Sequence, residues 1–177
     1  WQGKSSIGKY GDFVMQTDWA VGEVMAALET AGISSNTLVV FTSDNGCSKA
    51  AMIGEMEAKG HFPSADLRGS KSDIFDGGHR IPFFVRWPDR IKAGSRSDQI
   101  VGQIDLMATC AELLGAKLPD NAGEDSVSIL PALLGTSKTP LREALVHHSI
   151  NGSFAIRQGD WKLALCADSG GWSDPAP

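Results

Sequence analysis

No apolar run in this 177-residue sequence approaches the ~20 residues a membrane-spanning helix needs. Runs such as Leu38-Val39-Val40-Phe41 are far shorter. No basic stretch followed by an apolar one opens the chain, so no export signal is legible. The chain starts at Trp1 rather than methionine, its beginning is expected to lie further upstream, and localisation is not readable from this end. Cysteine is scarce. Cys47, Cys110 and Cys166 are scattered and odd in number, which argues against a disulfide framework or a zinc cluster. No strong charge excess exists either. The net charge of -5 gives no broad attraction for nucleic acid or an anionic membrane, though one basic pocket remains compatible with it. No internal repeat is visible.

What is present is ordinary for a folded domain, with 42% hydrophobic and 21% charged residues. Val14, Thr17, Val21, Val24, Met25 and Leu28 fall at helical spacing and predict a helix over residues 12–31, capped by Asp12 and ended by Gly32. Residues 37–42 are short, β-branched and apolar on both faces, the pattern of a buried strand in a parallel sheet. A long glycine-bearing loop separates them from a second apolar strand at 81–87. A second helix is expected over 105–114, capped by Asp105, stopped by Gly115, and burying Leu106, Thr109, Cys110, Leu113 and Leu114. Residues 128–134 suggest a short helix. After Pro140 the texture changes to three short strands, at 144–150, 153–157 and 161–166. Asn151-Gly152 is a two-residue hairpin signal, and Gln158-Gly159-Asp160 a second turn. Trp161 and Trp172 are expected to be packing residues. The fold expected is α/β over residues 1–140, with a small antiparallel β subdomain over 141–177. Two parallel-type strands are too few for a complete sheet, which already suggests part of a larger domain.

Chemistry is concentrated in two places. Asp44-Asn45-Gly46 ends the first buried strand, where ligands of open α/β sheets bind. An anionic and a neutral oxygen donor side by side suit Ca2+ or Mg2+ and not zinc, although Asp-Asn-Gly is equally a common turn sequence. The second place is Leu67-Arg68-Gly69-Ser70-Lys71 with Asp76-Gly77-Gly78-His79-Arg80-Ile81-Pro82. Arg68, Lys71, His79 and Arg80 there would suit a multiply charged oxyanion held beside a metal, with Lys71 as a point-charge donor. His61, after Gly60, is a further substrate-side candidate. His147 and His148 alternate faces in a strand and make a poor chelating pair.

Taken in order, these residues resemble the sulfatase family of the alkaline phosphatase superfamily, closest to its arylsulfatase A-like group. The match runs through Tyr10-Gly11-Asp12, Asp18 and Gly22, residues 36–46 ending in Asp44-Asn45-Gly46, Leu67-Arg68-Gly69-Ser70-Lys71, Gly77-Gly78-His79-Arg80-Ile81-Pro82, Trp87-Pro88 and Asp105. It reaches at least to Leu134. The resemblance implies an alkaline phosphatase-like mixed or parallel sheet with helices, and Asp44 and Asn45 as calcium ligands. It implies Lys71 as the catalytic lysine that binds the sulfate group. His61 falls near the expected substrate loop and is not assigned a catalytic role. Where the family has Glu-Gly-Gly, this chain has Asp76-Gly77-Gly78.

Other family parts are missing. There is no Cys/Ser-x-Pro-x-Arg motif to yield the formylglycine nucleophile, and no Asp-Asp pair to complete the calcium site. Both are expected in a missing N-terminal part. The expectation is therefore the C-terminal part of a sulfuric ester hydrolase, inactive alone, acting within the whole enzyme on a sulfate ester. A phosphoesterase or phosphonate hydrolase of the same superfamily, or a non-catalytic remnant module, are the rivals. Exposed apolar surface, and hence oligomers, is expected where the missing sheet would pack. A periplasmic or secreted location follows only from the resemblance.

Overall fold

The computed structural model describes residues 1–177. The first element, α1 (Lys9–Thr30), starts after Gly8 and ends at Ala31, with Gly32 at φ +67 beyond it. Its second half, Glu23 to Glu29, is rich in strong helix formers. Asp12 is not its cap. It lies inside the first turn, and its carboxylate accepts from the backbone amides of Gly3 at 2.7 Å and Ser5 at 2.6 Å. Those bonds fold the N-terminal loop back onto the helix and hold the Asp12 carboxyl below its usual range. The helix buries only part of the expected stripe. Thr17, Val21, Met25 and Leu28 are half-buried, while Val14 and Val24 are exposed.

The strands β1 (Val39–Thr42) and β2 (Phe83–Arg86) pair with each other. Their pairing is antiparallel, not parallel, with Phe41 opposite Phe84 and the rings 6.3 Å apart. Neither strand is fully buried, because the pair forms a two-stranded sheet with open edges. Apolar residues on both faces therefore mark surface awaiting cover, and do not report strand direction.

Between the strands lie α2 (Ile53–Glu57) and the single turn α3 (Asp76–His79). Gly77-Gly78 lie within this helical turn. Then come α4 (Asp105–Leu113) and α5 (Leu130–Leu133). Gly115 does follow α4 at φ +64. Of its expected stripe, Thr109 is buried and Leu106 half-buried, whereas Cys110, Leu113 and Leu114 are exposed. Asp105 is the first residue of α4 and not its cap. Its buried carboxylate accepts from Gly102 N at 2.7 Å and Val127 N at 3.0 Å, and pairs with Arg142.

The C-terminal meander is as expected: β3 (Leu145–His148), β4 (Phe154–Gln158) and β5 (Trp161–Ala164) in the order β3-β4-β5, all antiparallel. The Asn151-Gly152 turn is longer than two residues, since His148 pairs with Phe154. Trp161 is 84% exposed and Trp172 49%, so neither is the packing residue expected. Hydrogen bonds cross the boundary expected at residue 140: Ile74 N donates to Ser169 O at 2.7 Å, and Ile150 N to Ser72 O at 3.0 Å. Buried apolar side chains are few, namely Met56, Ile74, Trp87, Ala111, Ile129 and Ala155, and buried polar ones such as Asp73, Asp105 and Thr109 stand beside them. No helix is long and apolar enough to cross a membrane.

Candidate functional site

The end of β1, the loop 68–73 and the turn α3 are stitched together by main-chain bonds. Gly46 N donates to Gly78 O at 2.9 Å, Gly77 N to Arg68 O at 2.7 Å, and Lys71 N to Cys47 O at 2.8 Å. The glycines allow this approach. A Cβ on Gly46 would sit 1.7 Å from Gly77 O, and one on Gly77 would sit 2.1 Å from Gly69 O. Backbone cannot yield there, so side chains at these positions would push the three segments apart. The three separate motifs thus meet because each carries a glycine at the point of contact.

Asp44 is exposed and Asn45 half-buried at this junction. The Asn45 amide nitrogen donates to Gly46 O at 3.1 Å, leaving its oxygen available to a cation. Ser43 Oγ donates to Asn45 O at 2.9 Å, and Gln103 Nε2 to Ser43 O at 2.5 Å, which fixes the turn from behind. Asp44 and Asn45 fit a hard cation as two of the 6–8 oxygen ligands calcium takes. No group of three or more His, Cys, Asp or Glu side chains is arranged to hold a metal.

Lys71 is half-buried, and its ammonium enters none of the four ion pairs. The other cations expected beside it are dispersed. Arg68 stacks over Phe75 at 3.8 Å, Arg80 is exposed, and His79 turns inward against His147, with ring centroids 4.4 Å apart. No hydrogen bond joins His61 to Asp44, Asn45 or Lys71; its own amide donates to Met56 O at the end of α2. An open cleft of about 660 Å³ adjoins the Lys71 loop, with Lys49, Glu55, Ser70 and Ser173 on its walls.

Asp73 and the contacts of several named residues escaped the sequence reading. Asp76 receives Arg157 and Lys162, the latter at 2.8 Å, joining α3 to the meander. Burial opposes its ionisation, but both cations outweigh that and hold its carboxyl below the usual range. His79 and His147 lie in the same seam. Burial and the nearby Lys162 charge lower both, His147 to about 4. The Nε2 atoms of both rings are buried without a partner. Tyr10 is pushed up to about 12 by burial and by Cys47 beside it. Asp73 is buried between the Lys71 loop and the tail. The signal available for all of these was their polarity, but their partners lie about a hundred residues away in some cases, and spacing does not disclose them.

The family described as Sulfatase matches residues 1–116. The family described as N-sulphoglucosamine sulphohydrolase, C-terminal, matches residues 70–169. The chain is 39% identical over 170 residues to an N-acetylgalactosamine-6-O-sulfatase of Bacteroides thetaiotaomicron, covering 94% of this chain and 33% of that protein. It is 35% identical to arylsulfatase A of Homo sapiens, over 97% of this chain and 33% of that one. A solved structure bearing on the metabolism of multiple glycosaminoglycans by Bacteroides thetaiotaomicron superposes with a TM-score of 0.82 at 38% identity, over 92% of this chain and 34% of the other. The chain belongs to the sulfatase family, and its fold is that of the alkaline phosphatase-like sulfatases. It spans about a third of the length of these relatives.

Proposed function

We propose that the protein carrying this chain hydrolyses sulfate esters, with Asp44 and Asn45 ligating calcium and Lys71 gripping the sulfate group. The observation that carries the reading is the stitching of Lys71 N to Cys47 O and Gly46 N to Gly78 O, which joins two oxygen donors and an unpaired lysine in a sulfatase-family chain. Magnesium is the alternative ion for the same donors. When bound, the metal would offset negative charge on the sulfate oxygens. Lys71 would do the same as an ammonium whose charge is not committed to any protein carboxylate. The formylglycine nucleophile and the remaining metal ligands would come from sequence outside these 177 residues. Alone, the chain is expected to release no sulfate and to hold calcium weakly.

The test is sulfate release by the full-length protein, beginning with 6-sulfated N-acetylgalactosamine because a relative's name points there. Lys71→Ala should lower kcat about 10²–10³-fold, as losing one charge-stabilising donor does elsewhere. Unchanged kinetics would remove Lys71 from the mechanism. Hydrolysis of phosphate esters in place of sulfate esters would move the protein to the phosphoesterase reading.

A further inference from the structure

Asp73 lies two residues beyond Lys71 and is 0% exposed. Its Oδ2 accepts from Ser70 N at 2.7 Å and from Ser173 Oγ. Its Oδ1 accepts from Trp172 N at 2.8 Å and Ser173 N at 2.9 Å. Burial opposes ionisation of this carboxyl, but the four donors more than offset it and hold the group below its usual range. The loop is fastened further at Lys71 N, Ser72 O and Ile74 N, by Cys47, Ile150 and Ser169. Gly171 packs so closely that a Cβ there would lie 2.5 Å from Ser72 O.

The Lys71 loop is therefore gripped from two sides. The end of β1 holds Lys71 itself, and the tail 169–173 holds the residues around it through one carboxylate. An asparagine at position 73 has the same shape but presents an amino group to a backbone donor, so part of the grip would be lost. The tail that Asp73 holds also supplies Ser173 to the cleft wall beside Ser70.

We infer that Asp73 is a positioning residue for Lys71: by clamping residues 70–73 against the tail 169–173, it sets where the Lys71 ammonium stands. The inference rests on the reading of Lys71 as the group that holds sulfate. It makes residues 169–173, about a hundred positions further along the chain, part of the reactive site's support.

The experiment is a double-mutant cycle in the full-length protein, measuring initial rates on 4-nitrophenyl sulfate and 6-sulfated N-acetylgalactosamine. Asp73→Asn should lower kcat about 10–100-fold with an unchanged circular dichroism spectrum. In a Lys71→Ala background the same substitution should cost less than about twofold, because a residue that acts through Lys71 has nothing left to act on. Equal losses in both backgrounds, or wild-type kinetics for Asp73→Asn, overturn the inference and leave the Lys71 reading standing. Wild-type kinetics for Lys71→Ala, or no sulfate release by the unsubstituted protein, sink that reading and the inference with it. Should Asp73→Asn fail to fold, Ser173→Ala enters the same cycle. It deletes one of the donors to Asp73, so a several-fold loss confined to the Lys71 background is expected, and an additive or absent loss is the refuting result.

Discussion

Two regions of this molecule settle their exposed groups in opposite ways. In the seam between the loop 68–79 and residues 145–173, polar groups are buried and most are answered: Asp73 by Ser70, Trp172 and Ser173, Asp76 by Arg157 and Lys162. Over α1 and the β1–β2 pair, apolar groups are left facing outward, among them Phe13, Trp19, Val24 and Phe84. The first region closes largely on groups within the chain, with the His79 and His147 Nε2 atoms left over. The second has the composition of an interior and the exposure of a surface, which is how part of a layered domain should look when its neighbours are elsewhere. Substitutions should therefore be costly where the polar groups close on one another and nearly silent where the apolar ones face out.

The largest effect is expected at the second buried aspartate. Asp105 is wholly buried, and Arg142, its partner, is 8% exposed. Arg142→Ala would strand an anion that now also receives two backbone amides. Breaking a buried pair from one side costs about 3–5 kcal/mol. Urea unfolding of the chain should show that loss. A change below about 1 kcal/mol would mean that water reaches Asp105 and that the polar core is less closed than described.

A smaller, pH-dependent effect is expected from the histidine seam. The folded pKa of His147 is about 4, against an ordinary value of 6.5. Between those values the unfolded chain takes up a proton that the folded chain refuses, so stability falls as pH drops from about 6.5 towards 4. His79, also lowered, adds in the same direction. The groups acting on the pair are Lys162, which disfavours a charged imidazole, and Asp76, which favours one. Asp73 and Asp76, lowered below their usual values, contribute at lower pH, where acid begins to discharge them. His147→Leu should reduce the fall of the urea midpoint between pH 6.5 and 4, leaving the His79 share, and keep the acid limb below 4 intact. An unchanged slope across the upper window would show that His147 is not the cause.

This comparison also explains what the sequence could disclose. The two helices, the short α5, the meander and the family were legible because they rest on local periodicity and on motif order. Asp44, Asn45 and Lys71 were legible as candidates for the same reason. The strand direction was not, because apolar faces on residues 37–42 report what should cover a strand and not which strand pairs with it. The roles of Asp12 and Asp105 were misread as caps because an acid at a helix start has that default use, whereas here each folds a distant or preceding segment onto the helix. Asp73 and the His79–His147 contact were invisible because their partners are brought by the tertiary fold alone. The basic stretch looked like one cluster in sequence, and the fold spends Arg68 on Phe75 and His79 on His147.

The smallest expected effect on stability is the most informative about the open region. Phe13 is 65% exposed and Val24 56% exposed on α1. Replacing both with serine removes little burial within the chain, and surface changes of this kind usually stay within about 0.5 kcal/mol. The urea midpoint should therefore hardly move. Self-association should fall, because the exposed apolar face is what a second copy would cover, and size-exclusion chromatography over a range of concentrations would read this directly. In the longer protein the outcome should reverse. If other parts of the chain cover α1, the same double substitution removes buried apolar area and puts hydroxyls in its place, and stability should drop by several kcal/mol. An equal, small effect in both contexts would mean that this face stays open in the whole protein, and the contrast between a closed seam and an unfinished layer would then be a property of the sulfatase itself and not of the portion described by these 177 residues.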